Sequence, residues 1–242
     1  MPDDKTYALF STPNNKKIIA DLEARNKKFI KFPAVETQKF DLDEATLENL
    51  LNIKQFDWII FTDVLTADYF LQILEENEVD LFELDEVRIC AYGEAVSDRL
   101  RFVQIHTDVM PNQIEDTEII EAIKNYVNSE IGLREQNILL LHRQNTKISI
   151  AETLIAEGAN VLELEIYQMS SDYKQEFPKL RALINGGAVD EFIFSAPEDL
   201  IYLKFIINTE TINADLFEQF SITNETTFKT LFELGIKSKL WF

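Results

Sequence analysis

The chain has 242 residues, of which 46% are hydrophobic and 27% charged, and its formal net charge is −20. This length fits one large domain or two small ones, and the composition is that of an ordinary globular protein. The acidic excess argues against a nucleic-acid partner, because neutralising phosphates requires clustered Lys and Arg. Cys90 is the single cysteine, which excludes an intramolecular disulfide and a cysteine-based metal cluster.

The sequence also predicts a cytoplasmic protein without membrane contact. No apolar run approaches the roughly 18 residues that a membrane span needs. The first residues, MPDDKTYALF, lack the basic start and long apolar core of a secretory signal.

Short apolar runs alternate with segments of helical periodicity along the chain. Strands are predicted, in chain order, at Tyr7–Phe10, Phe29–Val35, Asp57–Phe61, Val87–Tyr92, Asn137–Leu141, Val161–Tyr167 and Val189–Phe194. Helices are predicted at Asn15–Asn26, Asp43–Asn52, Val64–Glu76, Asp116–Ile131, Ile148–Glu157 and Pro197–Ile207. This alternation predicts an α/β protein with parallel sheets built from βαβ units.

One pattern occurs twice. DWIIFTDVLTADYFLQI at Asp57–Ile73 and DEFIFSAPEDLIYLKFI at Asp190–Ile206 share an acidic start, an apolar run, a hydroxyl residue and an amphipathic stretch. A repeat of this length indicates two similar α/β modules. Two modules leave a cleft between them, and clefts between domains are favoured ligand sites.

The extended segments KKFIKFPAVETQ and NVLELEIYQMS are candidates for crossovers between the two modules. If both cross, one module is discontinuous in sequence. We therefore predict one module from residues 1–34 plus 168–242, an inserted module at 37–166, and crossovers near 32–38 and 162–170.

Familiar catalytic and cofactor motifs are missing. His106 and His142 are the only histidines and neither has a partner at metal-ligand spacing, so we predict no metal. The chain lacks GxGxxG, GxxxxGK[ST] and GxSxG, so we predict no cofactor and no serine-hydrolase elbow.

Hydroxyl residues follow several predicted strands, namely Ser11, Thr12, Thr62, Ser195, Thr226 and Thr227. The carboxyl ends of parallel strands face the ligand crevice, and helix N-termini there offer N–H groups to anions. These residues therefore predict a rim that binds a polyanion. The alternative is that each hydroxyl only caps a helix, a contribution of about 1 kcal/mol.

Five segments share their order and spacing with a known family. They are FDWIIFTD from Phe56, ICAYGEAVSDRL from Ile89, NILLLHRQNTKISIAETLIAEGANVLELEIYQ from Asn137, EFIFSAPEDLIYL from Glu191 and ITNETTFKTLFELGI from Ile222. With these segments the chain resembles the uroporphyrinogen-III synthases over nearly its whole length.

The resemblance implies two similar α/β modules joined by a two-stranded crossover. It also implies a lyase that closes the linear tetrapyrrole hydroxymethylbilane with inversion of the last pyrrole ring, without cofactor or metal. Water is lost to give an azafulvene, which forms a spiro intermediate and rearranges. Such an enzyme mainly holds a flexible polycarboxylate in one geometry. We expect a monomer.

The resemblance also assigns roles to residues of this sequence. Tyr167 matches the family's cleft tyrosine, which assists departure of the hydroxyl as a weak acid. Thr226 or Thr227 matches the threonine of the second half, and the choice stays open. Arg143 and Lys147 lie where the family has basic residues.

Several positions depart from the family's pattern, including Thr223-Asn224, where Gly-Pro is common. The segment around Ser11 and Thr12 lacks a frequent arginine, Asp63 replaces a serine, and Val96 replaces a threonine. Asp63 is expected to repel a carboxylate unless the dipole of its helix or a cation offsets the charge. The missing arginine, Val96 and the net charge of −20 favour an alternative, a non-catalytic scaffold that binds another small anionic ligand or a protein partner.

Overall fold

The computed structural model describes residues 5–111, 116–127, 132–144, 150–169, 176–207, 219–223, 225–233 and 236–241. The chain forms two compact units. Unit 1 comprises residues 1–36 and 169–242, and unit 2 comprises residues 37–168. Among the described residues, each unit contains one five-stranded sheet.

The strands are β1 (Thr6–Phe10), β2 (Lys28–Phe32), β3 (Thr37–Lys39), β4 (Trp58–Phe61), β5 (Arg88–Ala91), β6 (Asn137–Arg143), β7 (Asn160–Met169), β8 (Glu191–Phe194), β9 (Gln219–Ile222) and β10 (Ser238–Leu240). The helices are α1 (Lys16–Ala24), α2 (Glu44–Leu51), α3 (Val64–Glu76), α4 (Glu94–Phe102), α5 (Asp116–Val127), α6 (Ile150–Ala156), α7 (Phe177–Asn185), α8 (Pro197–Ile207) and α9 (Glu225–Glu233).

Most predicted elements are confirmed with small changes at their ends. Helices α3 and α8 have the predicted limits. Strand β2 stops at Phe32 and not at Val35, because Pro33 has no N–H to continue the ladder. The parts of two predicted helices at 128–131 and 148–149 lie outside the described residues.

Both sheets are built mainly from parallel pairs, which confirms the predicted fold class. In unit 1 the strand order is β10-β9-β8-β1-β2, and all four neighbouring pairs are parallel. In unit 2 the order is β3-β7-β6-β4-β5, with parallel pairing of β7 with β6, β6 with β4, and β4 with β5.

The repeated segments occupy equivalent places in the two sheets. The order β5-β4-β6-β7 of unit 2 corresponds to β9-β8-β1-β2 of unit 1. Strands β4 and β8, which carry the two copies of the repeat, therefore stand at the same position. Each has its sequence successor on one side and a strand from another part of the chain on the other. This is the topological switch point at which open α/β sheets bind ligands.

The acidic residue that opens each copy has a structural role. Asp57 exchanges two hydrogen bonds with Asn137: its N–H donates to the Asn137 carbonyl at 2.8 Å, and its carboxylate accepts from the Asn137 N–H at 2.8 Å. Asp190 makes the same exchange with Thr6, at 2.9 and 2.7 Å. Each aspartate thus fixes the register between the repeat strand and its partner across the switch point.

The cores of the two units differ in composition. Unit 1 is centred on phenylalanine rings from four neighbouring strands, all essentially buried and in mutual contact: Phe10, Phe32, Phe192, Phe194 and Phe220. Unit 2 packs aliphatic side chains of β4 and β6 and of helices α5 and α6 around Trp58. Each large side chain buried in this way contributes about 1.5–3 kcal/mol.

Gly158 connects α6 to strand β7, which carries the predicted catalytic tyrosine. Its φ of +92° lies in the left-handed region, and the Ala159 N–H donates to the Leu154 carbonyl at 3.1 Å. This is the Schellman arrangement that ends a helix at glycine. A Cβ at this position would lie 3.0 Å from Cγ of Arg134.

We expect Gly158→Ala to lower the free energy of unfolding by about 2 kcal/mol, because it adds steric crowding to the left-handed backbone. Gly132→Ala is the matched control: its φ is +64° and its added Cβ meets nothing within 4 Å, so only the backbone cost of about 1 kcal/mol remains. Urea unfolding of both variants measures the difference. An equal or smaller loss at Gly158 would show that Arg134 moves aside without cost.

Candidate functional site

The carboxyl edge of the unit 2 sheet brings together several predicted site residues. Thr62 and Asp63 directly follow β4, Arg143 ends β6, and Tyr167 lies near the end of β7. The Thr62 hydroxyl donates to the Leu141 carbonyl at 3.0 Å, so it ties the end of β4 to β6 across the switch point.

Asp63 is the N-cap of α3. Its Oδ1 accepts from the Thr66 N–H at 2.8 Å, while the Thr66 hydroxyl oxygen lies 3.2 Å from the Asp63 N–H. This reciprocal pair is a capping box, which satisfies two of the N–H groups that a helix start leaves open. Asp63 stands where the family has a serine, and aspartate, like serine, is a residue type that caps helices well.

Tyr167 is fully buried and donates its hydroxyl proton to Oδ2 of Asp63 at 3.1 Å. Its ring stacks on that of Tyr69, with the centroids 5.3 Å apart and the planes 24° from parallel. The Tyr69 hydroxyl is in turn 2.6 Å from that of Thr37. Stacking and hydrogen bonding together fix the position of the Tyr167 oxygen.

A register shift in β7 aligns Tyr167 with Arg143. His142 pairs with Glu165, but the next residue of β6, Arg143, pairs with Tyr167, so β7 contains one extra residue. Such irregularities re-aim side chains and are frequent beside active sites. The side chain of Arg143 is buried with only 7% of its surface exposed, and its positive charge acts on Asp63.

Opposing effects set the pKa of Asp63. Removal of the carboxyl from water raises the pKa above its ordinary value, and this is the largest effect. Hydrogen bonds from the Thr66 N–H and the Tyr167 hydroxyl, together with the charge of Arg143, lower it by less. The result is a carboxyl group that takes up a proton more readily than an exposed aspartate does.

A second carboxylate occupies the equivalent helix start in unit 1. Oδ2 of the buried Asp199 accepts from the Ser195 N–H at 2.7 Å, the Ser195 hydroxyl at 2.9 Å and the Ala196 N–H at 3.2 Å. Burial raises the pKa of Asp199, and these hydrogen bonds oppose the rise. The sequence analysis identified Asp63 only as a charge that repels a substrate carboxylate, and it missed Asp199, for which the position in the first turn of a helix was the available signal.

The prediction that helix N-termini offer free N–H groups to an anion is wrong for three amides. The N–H groups of Thr66, Ser195 and Ala196 already donate to carboxylates of the protein. Helix α4 differs, because its N-cap is Gly93 and no side chain of the described residues caps it.

The other predicted residues of unit 1 lie after β1 and β9. Ser11 is exposed and its N–H donates to the Phe32 carbonyl at 2.7 Å. The Thr12 hydroxyl accepts from the buried side chain of Asn15 at 3.2 Å. In α9, Thr227 is buried with 1% of its surface exposed. Thr226 precedes it in the same helix, but its side chain and the whole of Lys147 lie outside the described residues.

A cavity of about 880 Å³ opens at the opposite, amino edge of the unit 2 sheet. It contains none of the predicted site residues. Its charged and titratable lining is mostly acidic, with Arg88 and His106 facing Asp57, Asp80, Asp85, Glu86 and Asp108. Such a lining disfavours a polycarboxylate, so volume is a poor guide to the site here, and the carboxyl edge with Arg143 is the better candidate.

Two further findings concern the described residues only. They contain no group of three or more His, Cys, Asp or Glu side chains placed to hold a metal ion. None of their helices is both long and apolar enough to cross a membrane.

Burial raises the pKa of the Cys90 thiol, which keeps it protonated, as expected of a small core side chain.

Comparisons with known proteins agree with this architecture. The family model described as uroporphyrinogen-III synthase HemD matches residues 16–238. The fold is similar to that of a mutant uroporphyrinogen III synthase from Thermus thermophilus, with a TM-score of 0.64 and 16% identity over 98% of this chain and 92% of that one. A second Thermus thermophilus uroporphyrinogen III synthase structure matches with a TM-score of 0.59, again at 16% identity over 98% and 92% of the two chains.

The raised pKa of Asp199 predicts how stability depends on pH. Between the ordinary aspartate pKa of about 3.9 and the raised value in the folded protein, the folded state holds a proton that the unfolded chain has lost. Stability contributed by Asp199 therefore falls as pH rises, by up to about 1.4 kcal/mol per pH unit within this window. The Asp199→Asn variant should lack this fall when urea unfolding is measured from about pH 4 to pH 7.

Asp43→Asn is the control, because the stability that Asp43 contributes changes with pH in the opposite direction. Asp43 caps α2, and hydrogen bonds from Thr46 lower its pKa, so its contribution is present above the ordinary pKa and is lost as pH falls. Identical pH dependence of wild type and Asp199→Asn would contradict the assignment for Asp199.

Proposed function

The chain belongs to the uroporphyrinogen-III synthase family, and we propose that its carboxyl edge in unit 2 carries the chemistry of that family. These enzymes are lyases of tetrapyrrole biosynthesis that act on hydroxymethylbilane. The observation that supports this location is the cluster of Tyr167, Asp63 and Arg143 at the switch point of β4 and β6. It combines a proton donor, a second titratable group and a cation.

The substrate chemistry matches what this cluster supplies. Hydroxymethylbilane loses its hydroxyl as water, and a hydroxyl leaves more readily when a weak acid protonates it. We propose Tyr167 as that acid and Arg143 as a group that binds a substrate carboxylate. The Thr62 hydroxyl donates to Leu141, so it offers the substrate its lone pairs and not its proton.

The remaining candidates would bind the carboxylates of the substrate. We assign this role to Ser11, Thr12 and Ser195 at the equivalent edge of unit 1, to Thr226 or Thr227 in α9, and to Lys147. The exposure of Ser11 supports its inclusion. Ser195 is tied to Asp199 through its N–H and its hydroxyl proton, so it too would act through its lone pairs.

The two compact units support a domain division into 1–34 plus 168–242 and 37–166, with crossovers near 32–38 and 162–170. The cleft expected between the modules stays a prediction. We further propose that the protein acts as a monomer in the cytoplasm without nucleic acid, which the net charge of −20 supports.

We expect the purified protein to convert hydroxymethylbilane into uroporphyrinogen III without added metal or cofactor. Isomer analysis by HPLC measures the product, because the uncatalysed reaction gives uroporphyrinogen I. A product that contains only the I isomer would remove the enzymatic function and leave the alternative of a scaffold for another ligand.

Tyr167→Phe should lower kcat about tenfold or more, because the variant keeps the stacked ring and loses only the acidic proton. Tyr126→Phe is the matched control. The Tyr126 hydroxyl also donates to an aspartate, Asp108 at 2.7 Å, but it lies at the opposite edge of the sheet. Unchanged turnover in Tyr167→Phe, with folding verified by urea unfolding, would make Tyr167 a packing residue.

A further inference from the structure

The proton of Tyr167 is already engaged. Its hydroxyl has one proton, and in the structure that proton is donated to Oδ2 of Asp63. An ionised carboxylate only accepts hydrogen bonds, so it can pair with Tyr167 only by accepting the hydroxyl proton of the tyrosine. While this hydrogen bond is in place, Tyr167 cannot protonate a departing hydroxyl.

The two oxygens of Asp63 have different partners. Oδ1 is held by the Thr66 N–H at the start of α3, whereas Oδ2 faces Tyr167. A proton on Oδ2 would therefore leave the helix cap intact. It would also reverse the second hydrogen bond, with Asp63 donating to the tyrosine oxygen and the tyrosine proton turned outward.

We propose that Asp63 is a positioning residue that controls whether Tyr167 can donate its proton, and that the protonated form of Asp63 is the active one. This inference rests on the proposed function. When the substrate C–O bond breaks, its electron pair goes to the oxygen, which takes the Tyr167 proton and leaves as water. Tyr167 is reprotonated from Oδ2 of Asp63. At the end of the reaction the attacked pyrrole carbon loses a proton. This proton returns to Oδ2 of Asp63 and restores the protonated Asp63–Tyr167 pair.

The surroundings of Asp63 suit both of its states. Burial favours the protonated form, while Arg143 and the Thr66 N–H stabilise the carboxylate that the proton transfer leaves. Within the described part of the chain, the charged and titratable side chains found to act on it are Arg143 on β6 and Tyr167 on β7.

Helix α4 packs against α3, but two arginines of α4 form ion pairs with aspartates other than Asp63. Arg99 pairs with Asp68 at 2.5 Å, and Arg101 pairs with Asp98 at 2.6 Å.

The test is the pH profile of kcat in Asp63→Asn. The Asn Oδ1 should keep the bond to Thr66, so Nδ2 takes the place of Oδ2 and donates to Tyr167, as the protonated aspartate would. In the wild type we expect kcat to fall about tenfold per pH unit above the pKa of Asp63, because one proton is lost. In Asp63→Asn this fall should disappear. Asp63→Ser, which also caps helices, should lose it as well.

Two controls separate this effect from a structural one. Asp43→Asn changes an equivalent cap, in which the Thr46 N–H donates to Asp43 at 2.9 Å, and it should keep the wild-type profile. In a Tyr167→Phe background, Asp63→Asn should not change the profile, because Asp63 acts through the tyrosine.

A wild-type profile in both Asp63 variants, alongside formation of the III isomer, would overturn this inference and leave the proposed function standing. Formation of the I isomer alone by the wild type would overturn both.

Discussion

The pairing of β4 with β6 is the constraint on which the candidate site depends. These strands come from distant parts of the chain, and side-chain hydrogen bonds hold them in register at both ends. Asp57 binds the first amide of β6, and Thr62 binds the Leu141 carbonyl near its last residues. Because the strands are parallel, this register brings the residues after β4 and the end of β6 to the same edge. Tyr167 reaches that edge through the extra residue in β7.

Carboxylates at helix starts are the second recurring feature. Helices α3 and α8 follow the two copies of the repeat, and each uses its own aspartate to satisfy N–H groups that would otherwise attract an anion. Capping stabilises each helix by about 1 kcal/mol, while burial of the charge opposes it. The net result is that the pKa values of Asp63 and Asp199 are both raised. Carboxylates of a bound substrate would therefore need other partners, and Arg143, whose charge acts on Asp63, is a candidate.

The sequence was sufficient for features with a local cause. The limits of α3 were predictable because a cap and helical periodicity both lie within its own segment. Strands β3 and β10 were not predicted, since TQK and SKL are short and polar and become strands only beside their neighbours. Tyr167 was identified by resemblance, and its position at a sheet edge followed from the apolar run before it.

The partner of Tyr167 could not be predicted. Asp63 is 104 positions away in the sequence, and its contact requires both the β4–β6–β7 order and the register shift. From sequence alone the charge of Asp63 appeared only as a repulsion toward the substrate. In the structure the same carboxyl group caps a helix, accepts a hydrogen bond from the Tyr167 hydroxyl and is affected by the charge of Arg143. Its function therefore follows from tertiary contacts that no local pattern encodes.

The two units share an architecture but differ in the chemistry available at the equivalent edge. In unit 1, Asp199 binds a serine hydroxyl and two amides, none of which gives up a proton near neutral pH. In unit 2, Asp63 binds a phenol, which is a far stronger acid than an aliphatic hydroxyl. An arginine beside it can stabilise the charge that proton transfer leaves. One repeat therefore has an aspartate in the first turn of its helix with a serine and two amides as partners, whereas the other has an N-cap aspartate in contact with a tyrosine. The proposed proton transfer is accordingly assigned to unit 2, and unit 1 is proposed to contribute binding groups.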